Sequence, residues 1–342
     1  MQNTPFYRIA VSAALLGLTA TTAAQRPAVE ILQSSDALPP HIVGRFGDAA
    51  GFEQAPDGTS FVFDRRGHTV YRVDAQRAAA TPIVAVGHEL GRILRPFGFE
   101  LGDGELAVGD APDVESARIQ VFSTSGSRLA AFRLPGSAEA RVQLDGVVLN
   151  GVGTMRFTVA RTIVVSQPET GALITEYDIR GTALRSIGSL RSTGHDSDPQ
   201  LKLAFNSGLP VPAPDKGFYF VFQTGEPRFR RYDATGALMY ERVIQGPELD
   251  PVIAAQPTVW PRRTVRAGVE IPVVRPIVRA AAVDGRGRLW ISFTVPFAYV
   301  YDEGEKTRTV QFRAAGLVTP TSLAFTGDGR LLITPGCYVF TP

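Results

Sequence analysis

The stretch Phe97–Val108, FGFELGDGELAV, decides the fold of this 342-residue chain. It contains an apolar strand pattern, an Asp-Gly turn and a second apolar strand pattern. The same arrangement returns at Ala280–Ile291, AAAVDGRGRLWI, and at Ser322–Ile333, SLAFTGDGRLLI. Asp-Gly between two apolar runs is a strong signal for a tight hairpin of two antiparallel strands. The chain therefore repeats one β-hairpin unit.

The spacing of these units predicts the architecture. Strand patterns separated by Gly and Pro turns recur roughly every 40–60 residues, and such a repeat is typical of solenoids and propellers. Strands rather than helices fill each repeat, which favours a propeller. We trace six groups of strands between residues 41 and 342. The sequence thus predicts an all-β fold, a six-bladed β-propeller with four-stranded antiparallel blades.

Two parts of the predicted ring depend on weaker patterns. In the fourth group we assign the inner strand to Leu201–Phe205. The last group has strand patterns at Ser322–Phe325, Leu331–Ile333 and Tyr338–Phe340 but lacks a fourth strand. An open sheet edge invites aggregation, so we expect an N-terminal strand to complete the last blade. We assign this strand to residues 42–46 and expect it to pair with Tyr338–Phe340, which closes the ring.

The beginning of the chain has the pattern of a secretory signal peptide. Arg8 is followed by the apolar segment Ile9–Leu18 and then by small residues. The apolar segment is too short to span a bilayer, and no later segment reaches ~20 apolar residues. We therefore predict a signal peptide at residues 1–24, an N-terminal linker at 25–40 and one propeller domain at 41–342. The protein is expected to be secreted or periplasmic, with no transmembrane segment.

Charge and cysteine content limit the partners and the chemistry. Removing the signal peptide takes one of the 35 basic residues and none of the 33 acidic ones, so the net charge falls from +2 to +1. This balance gives no support for nucleic acid or an anionic membrane as a partner. Cys337 has no second cysteine with which to form a disulfide, and we expect it to be a small buried apolar residue.

Several repeats resemble the NHL repeat. The resemblance is carried by Gly104–Asp110 with Arg118–Ser123, by Ser60–Asp64 with Val70–Asp74, and by Asp284–Ile291. It extends over nearly all of residues 42–340 and is specific to the repeat. Propellers of this type are implied to include extracellular sensors, protein-binding modules, lactonases and lyases. The resemblance thus implies the fold and leaves binding and catalysis open.

The turns predict which end of the propeller binds. Turns between first and second strands are short, as at Asp57-Gly58 and Asp103-Gly104, and those between third and fourth strands are equally short. Both sets lie at one end of antiparallel blades, the short-turn end, whereas the long-loop end receives the second-to-third loops and the crossings between blades. Long loops on a rigid scaffold commonly carry recognition. We therefore predict a binding surface at the long-loop end, formed by Arg65, His68, Arg95, Phe97, Glu226, Phe297 and Trp260.

The crossing at residues 246–276 is the longest at that end. It is rich in proline and contains Trp260 near Arg262 and Arg263. Proline stiffens the segment, and Trp with Arg is typical of the residues that dominate binding energy at interfaces. The same composition fits a cover that buries Trp260 against the end of the propeller. The two interpretations are compatible.

Predicted second strands often end in a polar residue, as at Asp64, Asp110, Gln167, Gln223 and Thr294. A functional explanation is a ring of ligands around the mouth of the channel. A structural explanation is that each side chain binds backbone groups of the loop that follows. We favour the structural explanation because the polar residues repeat with the strands rather than marking one blade.

Motifs for a nucleophile, a zinc site or a phosphate loop are lacking. The four His residues do not have metal-binding spacing, and no Gly-x-Ser-x-Gly elbow occurs. A resemblance to the gluconolactonase-like propellers implies a different chemistry, in which Glu, Asn and Asp hold calcium in the channel. On that resemblance the metal ligands are Glu53, Asn150 and Asn206.

The preferred interpretation is an exported, non-catalytic propeller that binds a protein, peptide or glycan at the long-loop end. It requires no cofactor and assigns no catalytic residue. The alternative is a calcium-dependent lactonase, hydrolase or lyase that uses the channel around Glu53.

Overall fold

The computed structural model describes residues 29–113, 117–136, 142–144, 147–148, 154–264, 268 and 270–342. Strands make up most of the regular structure in these ranges. The helices are short: α1 (Pro40–Val43), α2 (Pro199–Phe205), α3 (Asp250–Ala254) and a 3-10 turn at Pro168–Thr170. Within the same ranges, none of the helices has the length and apolar character needed to cross a membrane.

Antiparallel meanders, in which successive strands lie side by side, form most of the fold. The N-terminal strand β1 (Val29–Ala37) belongs to the largest sheet, described below. The first two separate sheets contain β2 (Ala49–Gln54), β3 (Ser60–Asp64), β4 (Thr69–Val73), β5 (Ala80–Val86) and β6 (Arg92–Ile93), and then β7 (Pro96–Leu101), β8 (Glu105–Asp110), β9 (Arg118–Ser123) and β10 (Arg128–Arg133).

Two further separate meanders follow a small two-stranded ribbon. The ribbon pairs β11 (Gln143–Leu144) with β12 (Val147–Val148). The third and fourth sheets contain β13 (Met155–Phe157), β14 (Ile163–Ser166), β15 (Ala172–Tyr177) and β16 (Ala183–Ser189), and then β17 (Gly208–Pro212), β18 (Phe218–Phe222), β19 (Arg228–Tyr232) and β20 (Leu238–Val243).

The C-terminal third of the chain forms one sheet of nine strands. A ribbon of β21 (Arg262–Thr264) and β22 (Glu270–Pro272) lies in the crossing that precedes it. The sheet contains β23 (Val278–Val283), β24 (Leu289–Phe293), β25 (Ala298–Asp302), β26 (Glu305–Arg313), β27 (Leu317–Val318), β28 (Ser322–Phe325), β29 (Leu331–Thr334) and β30 (Tyr338–Phe340). Strand β1 joins the run β23–β26 to the run β28–β30, and β27 pairs with β26.

The first strands of successive runs contact one another in a closed cycle. Strand β2 contacts β7, β7 contacts β13, β13 contacts β17 and β17 contacts β23. The cycle continues from β23 to β28 and returns from β28 to β2. The sheets are therefore arranged around a common axis, which makes this an all-β, propeller-like fold.

The apolar core lies between neighbouring sheets. The ring of Phe63 on β3 stacks on that of Phe99 on β7, with centroids 5.8 Å apart, and Phe229 on β19 meets Tyr301 on β25 at 4.9 Å. Strand β24 is buried at all of its positions because sheets cover both of its faces. Burial of these faces supplies the main driving force for association of the sheets.

The N-terminal strand completes the last run, but it is not the predicted segment. Ser34, Asp36 and Ala37 of β1 pair antiparallel with β30, while residues 29–33 pair parallel with β26. The predicted latch at residues 42–46 is wrong, because Pro40 starts the helix α1 there. The predicted linker at 25–40 is also wrong over residues 29–37, which form β1.

The inner strand of the fourth sheet also differs from the prediction. Leu201–Phe205 lies in α2, because Asp198 caps the helix by accepting hydrogen bonds from the Gln200 and Leu201 N–H groups. The inner strand is instead β17, whose sequence GLPVP contains two prolines. Proline is tolerated there because the axial edge of a first strand has no neighbouring strand that needs its N–H.

Candidate functional site

The first strands of neighbouring sheets bring three charged side chains together near the axis. Glu53 lies on β2, Glu100 on β7 and Arg156 on β13. Arg156 Nη1 donates a hydrogen bond to Glu100 Oε2 at 2.5 Å, and the Leu101 N–H donates to Glu53 Oε2 at 2.9 Å. We call Glu53, Glu100 and Arg156 the axial charge cluster.

Arg156 also bridges the ring. Its Nη2 donates to the Ala281 carbonyl at 3.0 Å, on β23, which is two first strands further round the cycle. Its Nε is buried without a hydrogen-bond partner among the described residues. The side chains of Arg156 and Glu100 keep only 12% and 14% of their surface exposed. The arginine therefore fills space between several first strands at the axis.

The enclosure of this cluster changes how its carboxyl groups titrate. Burial raises the pKa of Glu53 well above its usual range, and the charge of Glu100 raises it further, while Arg156 acts in the opposite direction. Burial also raises the pKa of Glu100 against the lowering effect of Arg156. Two carboxyl groups thus share one cation, and protonation of one of them relieves their mutual repulsion.

The described residues do not fit the calcium site that the resemblance implies. The Asn206 Oδ1 accepts the Arg191 N–H at 2.9 Å, and its Nδ2 donates to the Lys202 and Arg191 carbonyls. The Asn206 amide is therefore occupied by hydrogen bonds to backbone groups. Glu53 lies beside the Arg156 guanidinium, whose positive charge disfavours binding of a divalent cation. Asn150 lies outside the described residues. In the part of the chain that the structure describes, no three His, Cys, Asp or Glu side chains are grouped as metal ligands.

Glu53 and Asn206 also lie toward opposite ends of the axis. Glu53 is close to the end of β2, which is followed by the short turn at residues 55–59. Asn206 lies just before β17, at the long-loop end. The axial charge cluster therefore lies toward the short-turn end of the axis, away from the long loops.

Three of the predicted binding residues lie on loops of the first two sheets. Arg65 forms an ion pair with Asp48 at 2.6 Å. Arg95 is exposed, and its Nε donates to the Ala111 carbonyl at 2.7 Å. His68 and Arg95 have left-handed backbones, with φ of 49° and 51°, which is uncommon for residues with a Cβ. These loops are thus held in defined conformations.

The remaining predicted residues are distributed around the long-loop end. Glu226 is exposed and forms an ion pair with Arg228. Phe97 is half-buried and packs against the core between the second and third sheets. Phe297 is half-buried against the core between the fourth sheet and the run β23–β26. The structure brings these side chains to one end of the molecule but onto different sheets.

Trp260 lies in the long crossing, which folds onto α2. Its ring meets His195 and Phe205 edge-on, with centroid distances of 5.0 and 5.1 Å. Arg262 forms an ion pair with Asp198, the residue that caps α2. The predicted cover is thus confirmed for this part of the crossing, and a role of Trp260 in binding stays a prediction.

The polar end of the first sheet's second strand holds two loops together. The Asp64 carboxylate accepts hydrogen bonds from the Gly47, Asp48 and Gly67 N–H groups at 2.8 to 2.9 Å. These donors belong to the crossing before β2 and to the turn after β3. The structural explanation for this position is confirmed.

The corresponding positions of the next two sheets act in the same way. The Asp110 carboxylate accepts the Leu94 N–H at 3.0 Å and pairs with Arg118 at 2.8 Å. Gln167 Nε2 donates a hydrogen bond to the Pro135 carbonyl, and Gln167 Oε1 accepts one from the Tyr177 hydroxyl. These side chains organise the long loops and are not free to bind a ligand.

Arg191 organises the loops of the fourth sheet, and sequence analysis missed it. Its guanidinium donates to the carbonyls of Phe205, Thr224 and Glu226 and lies 4.4 Å from the ring centroid of Phe222. Burial, assisted by neighbouring arginines, lowers its pKa to about 10. The arginine thus fixes the second-to-third loop on the end of α2.

Sequence analysis also missed Glu100 and Arg156. Each is a charged residue inside an otherwise apolar strand pattern, and charges enclosed by protein are normally paired. A charged residue that interrupts an apolar strand pattern is therefore the signal that the sequence offers. It does not reveal the partner, because the two residues are 56 positions apart.

Known structures similar to this chain are β-propeller proteins. A streptogramin B lyase is 12% identical, with a TM-score of 0.51 over 84% of this chain and 76% of that one. The virginiamycin B lyase of Staphylococcus aureus is 11% identical, with a TM-score of 0.51 over 84% and 77%. Regucalcin of Agrobacterium tumefaciens, a calcium-binding protein, is 14% identical, with a TM-score of 0.50 over 92% and 95%.

Comparison of the sequence gives no match to a protein-family model. It also gives no match to a curated protein. The structural similarities, all at low identity, therefore establish the propeller fold, and the resemblance to NHL repeats stays a prediction.

Proposed function

We propose that this protein is an exported, six-bladed β-propeller that binds a protein, peptide or glycan at its long-loop end without catalysing a reaction. The six blades are the four separate meanders, the run β23–β26, and the run β28–β30 completed by β1. Export is proposed from the signal-like pattern of the first 24 residues.

The observation that carries this proposal is the fixed conformation of the long loops. Asp64 binds three backbone N–H groups of two loops, and Arg191 binds three loop or helix-end carbonyls. Loops that are already ordered lose little conformational entropy when a partner binds. Recognition on a rigid scaffold is therefore the function that this geometry supports best.

The test is a screen of the mature protein, residues 25–342, against a displayed peptide library and a glycan array. Hits are compared between the wild type and the Trp260→Ala and Glu226→Arg variants. We expect at least one of these changes to weaken binding about tenfold, because both residues lie at the long-loop end. Arg286→Ala, an exposed change at the short-turn end, is the matched control. Binding that depends on Arg286 and on neither of the other residues contradicts the proposal.

The axial charge cluster supports one alternative function. Two neighbouring carboxyl groups with raised pKa values are typical of general acid–base catalysis. Similar structures include those of lyases and of a calcium-binding protein, so the fold suits catalysis as well as binding. The alternative is therefore a hydrolase, lactonase or lyase that uses Glu53.

The Glu53→Gln variant separates the two functions. An enzyme of this kind loses turnover of lactone or ester substrates, measured with and without added calcium. A protein that binds at the long-loop end keeps its affinity, because Glu53 lies toward the other end of the axis. Turnover by the wild type that Glu53→Gln abolishes would establish the alternative.

A further inference from the structure

At the long-loop end of the first two sheets, three carboxylates are bound by arginine or by backbone N–H groups. Asp48 pairs with Arg65 at 2.6 Å, and Asp110 is buried against Arg118 at 2.8 Å. Asp64 is buried and accepts three backbone N–H groups. The charges of these three carboxylates are thus balanced by arginine or by backbone N–H groups.

Three arginines of the same loops remain exposed. Arg45 follows α1, Arg66 lies in the turn between β3 and β4, and Arg95 lies just before β7. Unlike Arg65 and Arg92, they form no ion pair with any carboxylate of the described ranges. We call Arg45, Arg66 and Arg95 the arginine patch.

The backbone beneath the arginine patch is fixed. A Cβ at Gly47 would lie 3.5 Å from Arg66 Cβ, so the loops that carry Arg45 and Arg66 are in contact. Arg95 has a left-handed backbone and is tethered through Nε to the Ala111 carbonyl. Guanidinium groups on fixed backbone lose less entropy when they bind than groups on a mobile loop do.

Apolar side chains lie on the chain segment that leads to Arg95. Val86, at the end of β5, and Leu90 expose 51% and 56% of their surface. Arg92 follows, and its charge is balanced by Glu89 at 3.9 Å. The segment that leads to Arg95 therefore exposes apolar side chains next to the cation Arg92.

We propose that the arginine patch, with Val86 and Leu90, binds an acidic segment of a partner protein that also carries apolar side chains. Guanidinium groups bind carboxylates with paired hydrogen bonds, and exposed apolar groups at an interface add buried area. A peptide segment can place aliphatic or aromatic side chains against Val86 and Leu90, which the sulfate groups of a glycan cannot do. This inference rests on the proposed function, because it uses the same end of the propeller, and it adds the class of partner.

The probe is a fluorescent peptide of repeated Glu-Glu-Leu-Phe units, titrated with the mature protein and followed by anisotropy. We expect binding that weakens when ionic strength is raised to about 0.15 M. The triple variant Arg45→Glu, Arg66→Glu, Arg95→Glu should bind at least about tenfold more weakly. Val86→Ser with Leu90→Ser should also weaken binding.

The matched control carries the same change of charge at the short-turn end. It is the triple variant Arg180→Glu, Lys216→Glu, Arg286→Glu, whose positions are all exposed. It should bind the peptide within about twofold of the wild type at 0.15 M salt. Circular dichroism on each variant shows that it is folded before it is compared.

Three results would overturn the inference. They are equal weakening by the two triple variants, tighter binding of heparin or of phosphatidylglycerol vesicles than of the acidic peptide, and absence of peptide binding. If library partners still depend on Trp260 or Glu226 in that case, the proposed function stands and only the class of partner is wrong.

Discussion

Arg156 is shared between two glutamates at the centre of the molecule. It pairs with Glu100, lies close enough to Glu53 to affect its pKa, and donates to the Ala281 carbonyl. Removal of one member of an enclosed ion pair leaves a charge without compensation, which costs more than the pair itself contributes.

Arg156→Met should lower the free energy of unfolding by about 3 kcal/mol at pH 7, because it leaves two carboxylates together without a cation. Urea unfolding measures the change. Arg161→Met is the control, since the Arg161 side chain is 61% exposed and its pair with Glu105 should contribute less than about 1 kcal/mol. Equal losses in the two variants would contradict the assigned role of Arg156.

The free energy of unfolding of the Glu53→Gln variant should rise relative to that of the wild type as the pH rises. The pKa of Glu53 is raised in the folded protein above its ordinary value of 4.5. The proton on Glu53 therefore stabilises the fold fully at pH values below 4.5. This stabilisation is lost as the pH rises through the raised pKa of the folded protein. Urea unfolding of both proteins between pH 5 and pH 8 measures the difference. A difference that does not change with pH contradicts the raised pKa.

At the scale of elements, β1 shows how a poor strand pattern can form a strand. Leu32 is buried between β26 and β30, whereas its neighbour Ile31 is 44% exposed. The sequence VEILQSSDA does not alternate clearly, but the edges of two runs offer unpaired backbone groups on both sides of it. Those edges, rather than local propensity, explain why the segment is extended.

Leu32→Ala should destabilise the protein by about 2 kcal/mol, because it removes buried methyl groups from the core beneath β1. Ile31→Ala, one residue away on the exposed side, should change the stability by less than about 1 kcal/mol. Thermal unfolding of the two variants checks the contrast. If Ile31→Ala is the more damaging, the register of β1 is wrong.

At the scale of the whole molecule, β1 ties the beginning of the described chain to its end. Hydrogen bonds join residues of β1 and β30 that are about 300 positions apart in the sequence. The same strand pairs with β26, so one segment closes the cycle of sheets. Loss of this segment exposes two strand edges at once.

A chain of residues 38–342 should therefore unfold at a lower temperature and associate at high concentration. A synthetic peptide of residues 29–37, added in excess, should restore much of the melting temperature by binding between β26 and β30. A scrambled peptide is the control. Equal stability of the chains 38–342 and 25–342 would show that β1 does not close the ring.

Parts of the fold and site were predictable because their signals are local. Asp-Gly turns and apolar strand patterns located most strands, and loop length distinguished the two ends of the blades. The helix at Leu201–Phe205 was missed because its apolar residues also suit a strand, and the cap at Asp198 outweighs that pattern. Glu100 was missed because nothing near it in the sequence indicates Arg156.

The amino-acid sequence by itself determined a repeated all-β fold, the positions of its tight turns and the need for an N-terminal strand to complete the ring. Only the tertiary structure decided that residues 29–37 form this strand, and that Glu53, Glu100 and Arg156 meet at the axis. The physical reason is the separation along the chain over which each interaction acts. Turn and strand preferences act between neighbours in the chain, whereas ring closure and charge pairing depend on how distant sheets pack around the axis.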